Sequence, residues 1–374
     1  MVYLDHAATT PVLPQAAQAV SRAMERFGNP SARYSLGREA AGALEEARAQ
    51  VADALGCGRE EVVFTSGGTE GDNWALSAAR ARKKGHIITS AVEHSAVLEP
   101  VKALAQQGFE VTLLPVDAAG KVSPDDLSAA LREDTVLVSL MLVNNETGAV
   151  EPVAECVRRA KRFDPRIFCH TDGVQGFLKI PFTPKELGVD ALTLSGHKIG
   201  APKGIGAIYL KKGVKLKPFI LGGGQEGGLR SGTEPTVLAA GLGAACAYGR
   251  EHLARHIARL SDLRDYAAGR LPAQVPGLEV VCRGEAPHIL TVTLPKYKSE
   301  TVVRFLSDRG VFVSAGSACH RGKPSHVYAA LGLPKPWLDG MLRISFGPEN
   351  TEADVDALAQ ALEAAQASLF TTLS

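Results

Sequence analysis

The chain has 374 residues, 45% of them hydrophobic and 22% charged, with 41 Lys and Arg against 40 Asp and Glu for a formal net charge of +1. Such proportions belong to a folded globular chain and exclude a disordered one. Near-zero charge supplies no long-range field, which excludes a protein whose main task is to grip nucleic acid or an anionic membrane.

The opening segment MVYLDHAATTP has neither a basic stretch nor an apolar core, so no secretory leader is expected. From residue 14 to about 250, helical and strand patterns alternate. Glu39–Leu55 and Thr69–Lys84 read as helices, and the basic run Arg80–Lys84 suits the C-terminal end of the second. Short β-branched runs lie at Val62–Thr65, His86–Thr89, Val111–Leu114, Thr135–Leu140, Ile167–His170, Ala191–Leu194 and Ala207–Leu210. Most are apolar on both faces, as strands covered by helices are. The alternation predicts an α/β domain around a seven-stranded, mostly parallel sheet. Its last strand runs straight into KKGVKLKP and is expected to be an antiparallel closing strand. The apolar helical stretch Val237–Gly249 falls short of the ~20 residues that span a bilayer.

Beyond residue 250 the pattern changes to a helix at Glu251–Leu271, strands at Glu279–Val281 and His288–Leu294, a helix at Glu300–Arg309, strands at Val311–Val313 and Leu342–Ser345, and a helix from Thr351. This predicts a smaller α+β unit. The expected division is a large domain at 14–252 and a small domain made of 1–13 and 253–374. Six scattered cysteines without a CxxC pair argue against a disulfide scaffold, so a reducing, cytoplasmic setting is expected.

In α/β sheets, ligands collect beyond the carboxyl ends of the strands. Here the first of these strands is followed by Ser66-Gly67-Gly68-Thr69-Glu70, a glycine turn opening a helix, which offers free N–H groups and a hydroxyl to a phosphate. Later strand ends carry Glu93-His94, Asn144-Asn145-Glu146, His170 to Gln175, and Ser195-Gly196-His197-Lys198. One polar residue at a strand end is ordinarily a loop hydrogen bond. Five successive ends carrying such residues describe a polar pocket. A lysine among hydroxyls and a phosphate cradle suggests a Schiff base with pyridoxal phosphate, and a strand-end carboxylate can keep the pyridine nitrogen protonated. Lys198 and Asp172 are that pair. The competing idea, a metal held by His94, His170, Asp172 and His197, lacks any HxxxH or HxH spacing.

With YLDHAATTP, SGGTEGDN, VEHSAV, VNNETGAV, HTDGVQ, SGHKIGAPKGIGA, GGGQEGGLRSGT, SAGSACH and LRISFG spread over nearly its whole length, the chain resembles the cysteine desulfurases of the NifS/IscS-like branch of the class V aminotransferase family. The resemblance implies the fold type I architecture of pyridoxal 5'-phosphate-dependent transferases and a homodimer. It implies that Lys198 bonds the cofactor and shuttles protons, and that Asp172 pairs with the pyridine nitrogen. Gln175 would bond the phenolic oxygen, and His94 would stack on the ring and assist acid–base steps. Gly68, Thr69, Ser195 and His197 would hold the phosphate, with Thr233 reaching the phosphate of the neighbouring subunit. Asn145 and Arg343 would clamp the substrate carboxylate, a task suited to the planar guanidinium fork. Cys319 would be the nucleophile. It alone among the cysteines lies in a small-residue loop, Ser314 to Lys323, beside His320 and Arg321, which favour a thiolate.

The implied reaction converts L-cysteine to L-alanine, with the Cys319 thiolate taking the substrate sulfur as a persulfide. The sulfur would pass to an acceptor or an iron–sulfur scaffold protein, with no nucleic acid or membrane required. Two features depart from the family pattern. Gly227 stands where an arginine is expected, and Ser325-His326-Val327 follows Cys319 after only six residues, a shorter loop than in housekeeping iron–sulfur members. Less reach favours a dedicated acceptor over the usual scaffold. Two alternatives remain beside this reading: selenocysteine lyase or another C–S lyase, and a non-catalytic interaction subunit that keeps the fold.

Overall fold

The computed structural model describes residues 1–315 and 325–371. The chain starts with a short strand, β1 (Val2–Tyr3), and two helices, α1 (Pro14–Met24) and α2 (Ser35–Leu55). The β-branched runs then form β2 (Val62–Thr65), β3 (His86–Ser90), β4 (Glu110–Leu114), β5 (Thr135–Ser139), β6 (Phe168–Asp172), β7 (Ala191–Ser195) and β8 (Gly206–Leu210). Between them lie α3 (Gly68–Leu76), α4 (Ser95–Gln106), α5 (Pro124–Ala130), α6 (Val153–Phe163) and α7 (Pro184–Leu187). The seven strands make one sheet in the order β2-β8-β7-β6-β5-β3-β4. Strands β3 to β7 pair in parallel, while β8 runs antiparallel to both of its neighbours.

The antiparallel direction of β8 agrees with expectation, but its place does not. It lies one position in from the edge, with β2 outside it. Gly206 makes this insertion possible. A Cβ at that position would stand 2.5 Å from the Leu194 carbonyl oxygen and 2.8 Å from Gly67 Cα. Only a residue without a side chain lets the turn after β2 cross so close.

Helix α3 is shorter than the sequence pattern suggests. The Ser77 hydroxyl donates to the Trp74 carbonyl at 2.6 Å, and the chain tightens into a 3₁₀ turn over Ser77–Ala81. Arg82 to Lys84 therefore lie past the helical structure.

Helix α8 runs from Thr236 to Gln274 without a break, 39 residues in all, and joins the apolar and amphipathic stretches that the sequence separates. At 1.5 Å per residue it is about 58 Å long. Leu242, Ala245 and Cys246 on its first half belong to the main apolar cluster under the large sheet. Leu260, Leu263, Ala267 and Leu271 on its second half belong to another cluster, shared with Leu4, Leu290 and Leu358.

That second cluster draws on β9 (Glu279–Cys282), β10 (Ile289–Thr293), α9 (Ser299–Ser307), β11 (Val311–Phe312), β13 (Met341–Ser345) and α12 (Glu352–Ser368). Outside it lie β12 (Ser314–Ala315), α10 (His326–Ala330) and α11 (Lys335–Asp339), with α10 packing Val327 against Val92 and Met141. Four of these strands form an antiparallel sheet in the order β12-β13-β10-β9, and β1 pairs in parallel with β11. Among the described residues, no helix is long and apolar enough to cross a membrane.

Candidate active site

The carboxyl ends of β3, β5, β6 and β7 open into a cavity of about 440 Å³, closed on its other side by the β12–β13 edge of the small sheet. Its floor is acidic and buried. Its walls bring together Gly68, Thr69, His94, Asn145, Asp172, Gln175, Ser195, His197, Lys198 and Arg343. Thr233 is not among them. It stands exposed in the loop before α8. Cys319 lies outside the described residues.

Each side chain is placed by its element. Lys198 follows β7 in a 3₁₀ turn, and its ammonium donates to the carbonyls of Ala7 at 2.6 Å and Ala8 at 2.9 Å. Gln175 donates to the same Ala7 carbonyl at 2.8 Å. The N-terminal segment thus acts as a shelf for both. His94 caps the start of α4, with Nδ1 accepting the Ala96 N–H at 3.1 Å. That bond leaves the proton on Nε2. Burial lowers the pKa of His94; the Asp172 charge opposes this, and the Lys198 charge adds a smaller lowering. The imidazole is therefore neutral near pH 7.

Asp172 ends β6, where its Oδ1 accepts the Val174 N–H at 2.9 Å. Burial raises its pKa, offset by that bond and by the neighbouring His94 and Lys198. His197 bonds Thr9 Oγ1 at 3.2 Å, and burial with Lys198 and Lys203 nearby pushes it down to about 4.

Arg343, on β13, donates from Nη1 to the Asn145 carbonyl at 2.9 Å and from Nη2 to Asp5 Oδ1 at 2.8 Å. Its Nε and the Asn145 Oδ1 are buried without hydrogen-bond partners.

Four acids here were given no role by sequence reasoning. Asp5 binds Arg343, and Asp72 lies under the floor with Oδ1 3.5 Å from His170 Nε2. Glu93 accepts from the Ser90 hydroxyl at 2.7 Å and the Met141 N–H at 2.9 Å, and burial pushes it up to about 8. Glu146 accepts from the Ser325 hydroxyl at 2.8 Å and is pushed by burial up to about 7. Glu93 and Glu146 stand within the strand-end segments that the sequence reading singles out, so their position was legible and their role was not. Asp5 and Asp72 lie inside the quoted motifs YLDHAATTP and SGGTEGDN, but neither stands at a strand end of the large sheet, so the strand-end rule passes them over.

Residues 2–358 match the family described as Aminotransferase class-V. The chain is 42% identical over 372 residues to a "Cysteine desulfurase IscS" of Dictyoglomus turgidum, covering 97% of this chain and 93% of that one. The chain belongs to the class V aminotransferase family. A second protein named "Cysteine desulfurase IscS", from Methanosarcina thermophila, is 43% identical over 362 residues, which cover 95% of this chain and 89% of that one. Among solved structures, a "NIFS-LIKE PROTEIN" superposes with a TM-score of 0.93 at 36% identity over 98% of this chain and all of that one. "SspA in complex with cysteine" superposes with a TM-score of 0.82 at 35% identity, covering 94% of this chain and 100% of that chain.

Class V aminotransferases work with pyridoxal phosphate, and the residues present suit that group. The α3 N-terminus begins at Gly67-Gly68 without a side-chain cap, so its N–H groups and dipole are left for an anion beside Thr69, Ser195 and His197. A buried carboxylate (Asp172) and an amine (Lys198) line the same cavity. Gly227 is the position where the sequence reading expects an arginine. Gly227 has φ +65°, a left-handed conformation that disfavours arginine. The preceding residue, Glu226, fixes that loop by accepting two bonds from Arg48, at 2.7 and 2.9 Å, and one from the Phe64 N–H at 2.9 Å.

Proposed function

We propose that the chain is a pyridoxal phosphate-dependent cysteine desulfurase that converts L-cysteine to L-alanine and carries the sulfur away as a persulfide on Cys319. The observation that carries this reading is the shared cavity of Lys198, Asp172 and Arg343 in a chain about two-fifths identical, over nearly its full length, to proteins named cysteine desulfurase. A solved neighbour described as holding cysteine supports the substrate.

When bound, pyridoxal phosphate supplies an electron sink for the α-carbon of an amino acid. Lys198 takes the proton from that carbon and later returns protons to the product. Asp172 holds the proton on the pyridine nitrogen. Thr69, Ser195, His197 and the Gly68 N–H bind the phosphate, Gln175 bonds the phenolic oxygen, and neutral His94 covers the ring. Arg343 and Asn145 receive the substrate carboxylate through N–H donors, the Arg343 Nε that has no other partner and the Asn145 side-chain NH2.

Cys319 attacks the substrate sulfur as a thiolate. A sulfur–sulfur bond forms and the carbon–sulfur bond breaks. Its electron pair stays with carbon, which gains a proton to become the methyl group of alanine.

The other cysteines do not fit the nucleophile's role. None of Cys57, Cys156, Cys169, Cys246 and Cys282 lines the cavity. Burial pushes the thiols of Cys57, Cys156 and Cys169 up to about 12 and that of Cys282 up to about 11. The working form is a homodimer, with Thr233 completing the partner's phosphate site. Exposed Phe219, Ile220 and Leu221, in the same loop region as Thr233, support an interface there. The sulfur then passes to an acceptor or iron–sulfur scaffold protein.

The test uses two variants. Lys198→Ala should lose the visible absorbance of bound cofactor. Cys319→Ala should keep that absorbance yet release no sulfide from cysteine in the presence of a reductant. Normal sulfide release by Cys319→Ala would overturn the persulfide route, and an unchanged spectrum in Lys198→Ala would overturn the cofactor assignment.

A further inference from the structure

The N-terminal segment separates two cavities. Ala7 and Ala8 face the catalytic one, whereas His6, Thr10 and Pro11 line a second cavity of about 400 Å³ at the seam between the two apolar clusters. Its size is that of a small-molecule site. Its chemistry is cationic. Lys179, Arg255 and Arg259 supply the charge against one acid, Glu349, while His6, His252 and His256 add imidazoles, of which burial keeps His6 and His256 neutral near pH 7.

Two of the polar side chains in this cavity are almost wholly buried, His6 at 2% exposure and Lys179 at 8%. Both ring nitrogens of His6 lack a hydrogen bond; Glu349 Oε1 stands 3.4 Å from Nε2. An unpartnered buried polar group is costly and ordinarily marks a missing partner. Burial pushes the Lys179 amine down to about 8, with only the charge of Glu349 opposing it. The residue before Lys179 is also unusual. Leu178 has φ +56° although it is buried and not glycine, a conformation held only where its surroundings enforce it. It packs against Gly249 of α8, where a Cβ would come within 2.7 Å of Leu178 Cδ1.

The opposite wall is a ladder on one face of α8. Tyr248 and His252 stack with ring centres 4.3 Å apart, and His252 and His256 stack at 5.7 Å. Arg259 on the same helix reaches the second apolar unit and donates to the Asn350 carbonyl at 2.8 Å.

We propose that this second cavity is a binding site for the phosphate group of a small molecule, held between Lys179 on one wall and Arg255 and His256 on the other, with His6 as a further polar partner. A phosphate fits because cations converge on the cavity from separate elements and guanidinium groups match its oxygens. None of its liganding residues belongs to the proposed catalytic set. A ligand here touches the segment whose Ala7 and Ala8 carbonyls hold Lys198, and it also bridges the two apolar units.

The test is calorimetric titration of the cofactor-loaded protein with two probes, inorganic phosphate and adenosine 5'-monophosphate. Loading fills the phosphate cradle at α3, so binding reports on another site. At least one probe should bind saturably. Arg255→Gln with His256→Gln, both on α8 away from the cores, should raise its Kd at least tenfold while leaving Tm and visible absorbance unchanged. Lys179→Met, which keeps the buried stem, should raise Kd likewise. Tighter binding of the ester identifies an organic phosphate as ligand, and equal binding identifies the free oxyanion; both support the site. No saturable binding of either probe, or a Kd unaltered in both variants, would overturn it.

Discussion

Arg343 spends one arm of its guanidinium on Asp5, with Nη2 donating to Oδ1 at 2.8 Å and both side chains mostly buried. Asp5 therefore aims the arginine into the cavity and partly neutralises it. A substrate carboxylate must share or displace this bond. Asp5→Asn keeps an acceptor oxygen but removes the competing charge. Its KM for L-cysteine should fall severalfold, in line with roughly 1 kcal/mol for one such contact, with kcat little changed. Steady-state kinetics of alanine formation check this; a raised KM would mean that orientation of Arg343 outweighs its charge.

The thiols differ sharply in reactivity under the proposed mechanism. Cys57, Cys156, Cys169 and Cys282 are held as protonated thiols by burial at pH 7, and Cys246 is pushed in the same direction. Thiolate is the species that alkylates. Brief iodoacetamide treatment of the folded protein should therefore label one site, Cys319, and peptide mass mapping should find the other five unmodified. Fast labelling that persists in Cys319→Ala would contradict this.

Glu93 predicts part of the stability profile. Its folded pKa near 8 lies above the ordinary value of 4.5, so the folded protein keeps a proton that the unfolded chain releases between those values. Its stabilising contribution is complete below pH 4.5, declines as pH rises towards 8, and is level beyond. Asp72 and Asp172, also raised by burial, add the same sign. His170, pushed down to about 3, and His197, pushed down to about 4, act oppositely and lose stability as pH falls below 6.5. Glu93→Gln removes one titrating group while keeping the oxygen that accepts from Met141. Its plot of Tm against pH should fall less steeply than wild type between pH 5 and 8. Parallel plots would show that Glu93 titrates normally.

Thr233 stands exposed on a single chain, away from the cavity. If it completes the partner's phosphate site, Thr233→Ala should remain dimeric by sedimentation yet lose cofactor on dialysis. Loss of one hydrogen bond to a charged group weakens retention by roughly ten- to a hundredfold. A monomeric wild type, or unchanged retention in the variant, would remove the cross-subunit role.

Much of the cavity was legible because its chemistry adjoins easily recognised β-branched runs. His94, Asp172, Gln175, Ser195, His197 and Lys198 all follow or end strands, and the cavity gathers them. Asp5 and Asp72 were illegible because their importance comes from contacts remote in sequence: Asp5 meets a residue 338 positions away. The position of β8 was hidden for a similar reason, since it depends on a backbone crossing at Gly206 rather than on any local pattern. The continuity of α8 was obscured where its apolar first half gives way to a charged one at Arg250-Glu251, a change in what the helix packs against and not in the helix itself.

Helix α8 has a consequence for how the molecule comes apart. Leu242 and Cys246 lie in one apolar cluster, and Leu260 and Leu271 lie in the other, all on the same unbroken rod. Melting either half frays the hydrogen-bonded end of the other and uncovers its buried face. The two halves of the molecule are thus denied independent melting points: a lesion in the C-terminal cluster should propagate to the cofactor cavity as readily as one beneath the large sheet.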